Sequence, residues 1–372
     1  MGYMPIFKLV VNMSLPMIIS MLVQALYNVV DSMFVSRVSE NALTAVSLAF
    51  PAQNLMIGVA TGTAVGVNAL LSKSLGEKNY KRANQIAENG IFLSFIGFLI
   101  FLIFGLFGTE VFFRTQTDVE DIISSGVDYL RVCSCFSFGI FGQIIFERLM
   151  QSTGRTFYTM ITQGVGAIIN IVLDPIFIFG YFGLPAMGAK GAAIATVIGQ
   201  IIAFIIAAIL NKKKNTDIDL KLKEFRPNLK IIGRIYSIGI PSIIMVAVGS
   251  IMTFSINKIV IAFTETAAAV FGVYFKLQSF VFMPLFGMNN GVIPIISFNY
   301  GARNKQRVMK TIGVAILFAL FFMAIGLAAM QILPKELLSI FNASNQMIKI
   351  GVPALKTISI SYIFAGFSVV LI

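Results

Sequence analysis

The sequence has no histidine, no tryptophan, only two cysteines and only 16 acidic residues among 372. Without imidazole, and with Cys133 and Cys135 alone to supply thiolate, a transition-metal centre has no ligand set and no zinc-protease helix can be built. The two cysteines stand two apart in an apolar run, where helical geometry points them about 200° apart, so they cannot bridge each other. As small buried thiols they say nothing about redox compartment. The scarcity of charge excludes more. Only 12% of the residues are charged and 57% are hydrophobic, which is the composition of a membrane protein and not of a water-soluble domain.

What is present is a series of ten apolar stretches, at about 12–36, 44–72, 86–108, 122–147, 157–180, 190–210, 232–260, 268–297, 308–332 and 346–372. Each is long enough for a membrane-spanning helix, which needs roughly 20 residues. The expected fold is an all-α polytopic membrane protein. The first stretch follows Lys8 with no small-residue cleavage pattern behind it, so it reads as an uncleaved span. Basic residues set the orientation. Most of the 28 Lys and Arg lie in segments after even-numbered spans, such as "KSLGEKNYKR", "NKKKNTDIDLKLKEFRPNLK" and "GARNKQR", while the odd-numbered loops are neutral or acidic. The N-terminus and the basic loops are expected on the cytoplasmic face of the inner membrane. The net charge of +12 is therefore a topology signal, and no nucleic-acid partner is expected.

Sliding the sequence by 225 residues reveals a repeat. Between positions 16 and 82 there are sixteen identities with 241–307, including Gly62/Gly287, Gly66/Gly291, Gly76/Gly301, Asn79/Asn304 and Arg82/Arg307. Biased composition scatters matches over many offsets; it does not hold loop glycines and arginines in one register. Six spans separate equivalent points, so the copies share one orientation, a transporter architecture in which the substrate path runs between the halves. The expected organisation is a six-helix lobe at 1–210, a basic linker at 211–230 and a four-helix lobe at 231–372. Residue 372 aligns with Glu147, so counterparts of spans 5 and 6 are missing, and ten of an expected twelve spans are present.

Charges at bilayer depth cost about 2.5–3.5 kcal/mol on insertion scales and usually face a bundle interior or a cavity. Two acids stand out, Asp31 in span 1 and Asp174 in span 5. Ser20, Gln24, Asn28 and Asp31 fall within about 80° on one helix face. Gln163, Asn170 and Asp174 form a similar stripe, and Thr196 and Gln200 lie one turn apart in span 6. If the three faces converge, the resulting oxygen-only site suits a hard cation or a shared proton; the bland reading is that each acid bonds its neighbours and fixes packing. Pro175 removes a backbone donor and favours a bend beside the acid. Asp31 aligns with Ile256 in the repeat, which places the function in the first half.

Other polar residues are weaker candidates. Asp128 and Arg131 have the spacing of a local helix pair, and Arg131 aligns with Lys356, so both are possible cavity residues. Lys276 beside Gln278 either faces the central path or snorkels. Asn257, Asn289 and Asn290 fit inter-helix hydrogen bonds better than ligands. Glu88 and Glu147 stand near basic span ends and read as solvated. The 18 Met and 35 Phe suit flexible, aromatic recognition of varied lipophilic cations, although most belong to core or lipid-facing surfaces.

The stretches "LPMIISMLVQALYNVVDSMFVSR", "LSKSLGEKNYKRA", "LDPIFIFG", "GAKGAAIATVIGQ" and "FMPLFGMNNGVIPIISFNYGARN" resemble the multidrug and toxic compound extrusion (MATE) transporters, in the branch of prokaryotic multidrug pumps. The resemblance runs over the whole chain. It implies two six-helix lobes around a V-shaped cavity, no enzymatic activity, and export of small lipophilic organic cations by a monomer among membrane lipids, in exchange for Na+ or H+. It also implies a first-lobe cation site at Asp31, Asn170, Asp174, Ala192 and Thr196, the set the stripes select with Ala192 added. Some relatives carry second-lobe acids on helices 7 and 8 or 10; those spans are acid-free here. Three other classes remain open: a lipid-linked oligosaccharide flippase, which needs a more arginine-rich cavity than Arg131, Lys276 and Lys356 supply; a membrane enzyme, for which Asp31 and Asp174 lack the GxGD context of intramembrane aspartyl proteases; and a non-transporting receptor or scaffold.

Overall fold

A computed structural model describes residues 1–221, 225–261, 265–341 and 344–371, without the side chains at 40, 250, 251, 253, 254, 257, 258, 260, 261, 265, 266, 268 and 269. The elements are α1 (Ile6–Ser36), α2 (Glu40–Gly76), α3 (Tyr80–Phe107), α4 (Thr109–Arg114), α5 (Glu120–Cys135), α6 (Phe138–Ser152), α7 (Thr156–Phe179), α8 (Gly188–Lys214), α9 (Leu229–Ile261), α10 (Glu265–Gly301), α11 (Lys305–Ile332), α12 (Pro334–Ser339), α13 (Asn345–Ser359) and α14 (Tyr362–Leu371). Among the described residues, eight helices are long and apolar enough to cross a membrane. The pairs α5–α6 and α13–α14, each bent by 44° at a short break, supply two more. The ten spans follow the ten apolar stretches in order. Three details differ from the sequence reading: α1 begins at Ile6 and not near residue 12, spans 4 and 10 are broken, and the short α4 and α12 precede the broken spans.

The repeat is written into the helix boundaries. α3 and α11 begin at Tyr80 and Lys305, α4 and α12 at Thr109 and Pro334, and α5 and α13 at Glu120 and Asn345, always 225 residues apart. The turns leading into α3 and α11 match in atomic detail. Lys78 and Arg303 take left-handed φ values of 57° and 55°. Asn79 then accepts from the Arg82 amide at 3.0 Å, and Asn304 from the Arg307 amide at 3.1 Å. Each cap satisfies a backbone donor that the helix start leaves orphaned. Asn79→Ala should therefore lower stability by about 1 kcal/mol, read as a reduced Tm in detergent, with Asn304→Ala giving a similar loss.

The two copies cross-pack. α1 lies along α10 and α2 along α9, and the N-terminal part of α1 contributes Leu9, Val10 and Met13 to the core of the second copy. Close approach is possible because glycines replace side chains at the crossing. A Cβ on Gly76 would overlap the Phe298 carbonyl, and one on Gly301 would overlap the Lys73 carbonyl, so the ends of α2 and α10 meet backbone to backbone. The basic turns carrying Lys78, Arg82, Arg303 and Arg307 lie at this end, hereafter the basic end. Ser14 Oγ donates across the seam to the Met288 carbonyl at 3.2 Å. Pro16 removes the amide that would bond the Asn12 carbonyl, and Thr156 Oγ1 of α7 donates to that oxygen at 3.5 Å.

The described residues of the segment 211–230 pack more closely than their polarity suggests. Its first residues complete α8, which runs to Lys214. Beyond, the Asp219, Lys221 and Asn228 amides donate to the Asn84, Glu88 and Asn89 side chains of α3. Ile218 and Leu220 turn inward onto the α2–α3–α6 core. Glu88 is thus a strap anchor and not merely a solvated acid.

Candidate functional site

Asp31 lies in the penultimate turn of α1, Asn170 and Asp174 one turn apart on α7, and Ala192 and Thr196 one turn apart on α8. α7 packs against both α1 and α8, which brings the three polar faces together. Asn170 is 3% and Asp174 0% exposed. The Asn170 amide donates to Asp174 Oδ1 at 3.2 Å and to Thr196 Oγ1 at 3.1 Å. Asp31 and Asp174 are close enough for their charges to interact. What remains unpaired is informative: Asp31 Oδ1, Asp174 Oδ2 and Asn170 Oδ1 are buried oxygens with no hydrogen-bond donor. Buried acceptors are almost always satisfied. Three orphaned oxygens from α1 and α7, two of them carboxylate, form a set that a hard cation or a proton would complete.

Neighbours missed in the sequence surround the acids. Tyr27 stands on α1 one turn before Asp31 and three residues after Gln24. Gln53 of α2 donates to Tyr129 OH at 3.2 Å and to Cys133 Sγ at 3.4 Å, closing the side towards α5. Tyr27 was legible from its i,i+3 and i,i+4 spacing to Gln24 and Asp31; nothing in the sequence places Gln53 there. Of the flanking stripe, Asn28 is exposed, Gln200 is half-buried, and Gln163 belongs to a separate cluster described below.

A family model, MatE, matches residues 16–176 and 241–372, which cover both copies of the repeat. The chain belongs to the MatE family. It is similar to the multidrug export protein MepA of Staphylococcus haemolyticus (strain JCSC1435), with 25% identity over 362 residues, 97% of this chain and 79% of the relative. Among solved structures it is similar to an outward-facing multidrug resistance MATE transporter of the MOP superfamily, with 26% identity, a TM-score of 0.91, and coverage of 98% of this chain and 81% of that one. It also resembles a MOP superfamily transporter from Pyrococcus furiosus whose reversed binding-pocket polarity suggests a different function, with 27% identity, a TM-score of 0.91 and the same coverages. This MATE protein is accordingly a multi-pass secondary transporter that exports organic substrates by alternating access, in a family that draws on ion gradients, and it is not an enzyme.

The remaining candidates of the MATE chain are dispersed. Arg131 lines a charged hollow of about 280 Å³ with Glu110, Arg114, Glu120 and Asp128. Asp128 does not form the expected local pair with it, because Lys190 of α8 takes that carboxylate at 3.3 Å. Lys276 is exposed, with its ammonium 5.8 Å from the Phe341 ring centre at the α12–α13 connection, a snorkelling position. Gln278 is half-buried and Lys356 exposed. Asn257 falls on α9, but its side chain lies outside the described residues. Asn289 donates to the Val369 carbonyl at 2.7 Å and Asn290 accepts from Arg148 at 2.8 Å, inter-helix bonds of the expected kind. Glu147 is the clear correction. It is 2% exposed, fully enclosed by α6 and α7.

Proposed function

We propose that this MATE transporter is an antiporter of the cytoplasmic membrane that exports small lipophilic organic cations as a monomer in exchange for Na+ or H+. In this reading residues 1–210 form the ion-binding lobe, 231–372 the second lobe and 211–230 the linker, with the N-terminus cytoplasmic as the basic loops require. The coupling ion binds Asp31, Asn170, Asp174, the Ala192 carbonyl and Thr196. The supporting observation is the trio of buried oxygens without donors on Asp31, Asp174 and Asn170. A cation or proton there relieves the repulsion between two nearby carboxylates in a low-dielectric site. Its arrival changes which arrangement of α1 against α7 is favoured, and through α1, which docks into the second lobe, the relation of the lobes.

The direct test is transport by the purified protein in proteoliposomes with gradients imposed one at a time. An imposed Na+ or H+ gradient should drive a fluorescent lipophilic cation against its own gradient, with counter-movement of the same ion. Substrate movement that ignores both gradients would end the antiporter reading, whatever the substrate.

A further inference from the structure

Between Asp174 and Lys190 the chain runs for fifteen residues in which Tyr181 is the only side chain carrying an oxygen or a nitrogen. The stretch includes the whole turn from α7 to α8, and turns that run through water are normally polar. This one points its apolar groups outward. Phe182 is 90% exposed, with Tyr181 and Leu184 exposed beside it. Gly180, Phe182 and Gly183 take left-handed φ values of 77°, 60° and 83°. Glycine adopts that region freely, whereas a bulky residue rarely does, so holding the Phe182 ring out carries a backbone cost.

The depth of the turn follows from the helices that carry it. α7 has 24 residues and α8 has 27, about 36 and 40 Å at 1.5 Å per residue. Both have their other ends at the basic end, beside Arg155 and at Lys214. Their reach exceeds the roughly 30 Å hydrocarbon core and does not pass the roughly 40–45 Å of the whole bilayer. The turn is therefore delivered into the headgroup layer opposite the basic end, where amphipathic aromatic rings concentrate. Lys190, exposed in the first turn of α8, suits the same layer. α7 and α8 pack on α1, α2, α5 and α6 and along no helix of the second copy among the described residues, so the turn stands away from the seam, on the side that lipid surrounds.

The turn also touches α1. The Phe179 ring meets Phe34 edge-on with centroids 6.2 Å apart and Tyr181 at 6.0 Å, and Val38 lies against Gly188. Phe34 stands three residues beyond Asp31. We propose that the α7–α8 turn is a lipid anchor: Phe182 and Leu184 seat at the junction of headgroups and acyl chains in the leaflet opposite the basic end, and the chain of rings Tyr181, Phe179 and Phe34 holds the end of α1 that bears Asp31 against this seat. Withdrawing Phe182 and Leu184 returns apolar surface to water, so the leaflet keeps the turn at one depth. The stacked rings pass that fixed position to α1. The partner is phospholipid, recognised by burial and not by a headgroup of one kind.

The chain has no tryptophan, so Phe182→Trp in the full chain, placed in phosphatidylcholine nanodiscs, is a single reporter. Its emission should be quenched most by lipid brominated near the headgroup end of the acyl chain, less by lipid brominated near the chain terminus, and little by acrylamide. Val119→Trp, an exposed position in the acidic loop before α5 at the same end, should show the reverse, with strong acrylamide quenching. The hold on α1 is read by amide hydrogen exchange in the same nanodiscs. Phe182→Ser with Leu184→Ser, neither of which touches Phe34 or Phe179 through a ring contact, should speed exchange at residues 34–38 several-fold, while Phe182→Trp keeps the parent's rates. Acrylamide quenching of Phe182→Trp equal to that of Val119→Trp would place the turn in water. Quenching by neither agent would place it under protein, and strongest quenching from the chain terminus would place it in the hydrocarbon. Each of these, or unchanged exchange in the double serine variant, would overturn the proposal.

Discussion

Cells carrying Asp174→Asn should retain a fluorescent monovalent lipophilic cation to the level of cells with no transporter. At 100 mV, one charge moved across the membrane is worth about 2.3 kcal/mol, and about 1.4 kcal/mol is a factor of ten. An uncoupled lipophilic cation therefore accumulates inside about 50-fold, and export must oppose that figure. Exchange for one inward cation makes the step electroneutral, so the potential no longer works against it. The Asn substitution keeps the acceptor oxygen for the Asn170 amide, whose bond to Asp174 Oδ1 is 3.2 Å, and so removes the charge with little change in packing. Asp31→Asn should behave alike, because one remaining carboxylate does not reproduce a site in which two charges interact. Accumulation at the wild-type level in both variants would remove these acids from coupling.

How much of this was readable before the structure depends on what each residue answers to. Asp31, Asn170, Asp174 and Thr196 were legible because helical periodicity is local: once a stretch must be a helix, the polar face follows from spacing alone. The repeat was legible because Gly76/Gly301 and Asn79/Asn304 perform backbone tasks few other residues can. Glu147 was misread because its distance from the end of an apolar run looks interfacial. The break near Phe136 and Ser137 sets α6 at a new angle, and α7 then closes over the acid with Thr162 and Gln163. Gln143, one turn before Glu147, was the available signal. Asp128 went to Lys190 in preference to Arg131 because the tertiary fold brings α5 and α8 together, which no i,i+3 rule can anticipate. Gln53 at the site is the same case, since a lone glutamine in an apolar helix does not say which neighbour it will meet.

Gly76→Ala is expected to be the most damaging single-methyl change in the molecule. The added carbon would overlap the Phe298 carbonyl and crowd the Ala302 amide at 3.0 Å, and the pseudo-symmetric Gly301 faces the Lys73 carbonyl in the same way. Backbone cannot swing aside as a flexible side chain does, so the ends of α2 and α10 must separate. Overpacking of this sort typically costs about 1–3 kcal/mol. Here the cost falls only on the state in which the basic end is closed. Even about 1.4 kcal/mol moves that conformational equilibrium tenfold, so the variant should populate the open basic end. A cysteine introduced at Ser74, buried beside this crossing on α2, should then react faster with a water-soluble maleimide than it does in the parent, both carrying Cys133→Ala and Cys135→Ala. Gly313→Ala is the control, because a Cβ there meets nothing within 4 Å and the exchange removes a helix penalty of about 0.8–1 kcal/mol. It should raise Tm slightly and leave the Ser74→Cys reactivity unchanged. If Gly76→Ala also leaves that reactivity and Tm unchanged, α2 and α10 do not meet backbone to backbone at this crossing, and the seam must close elsewhere.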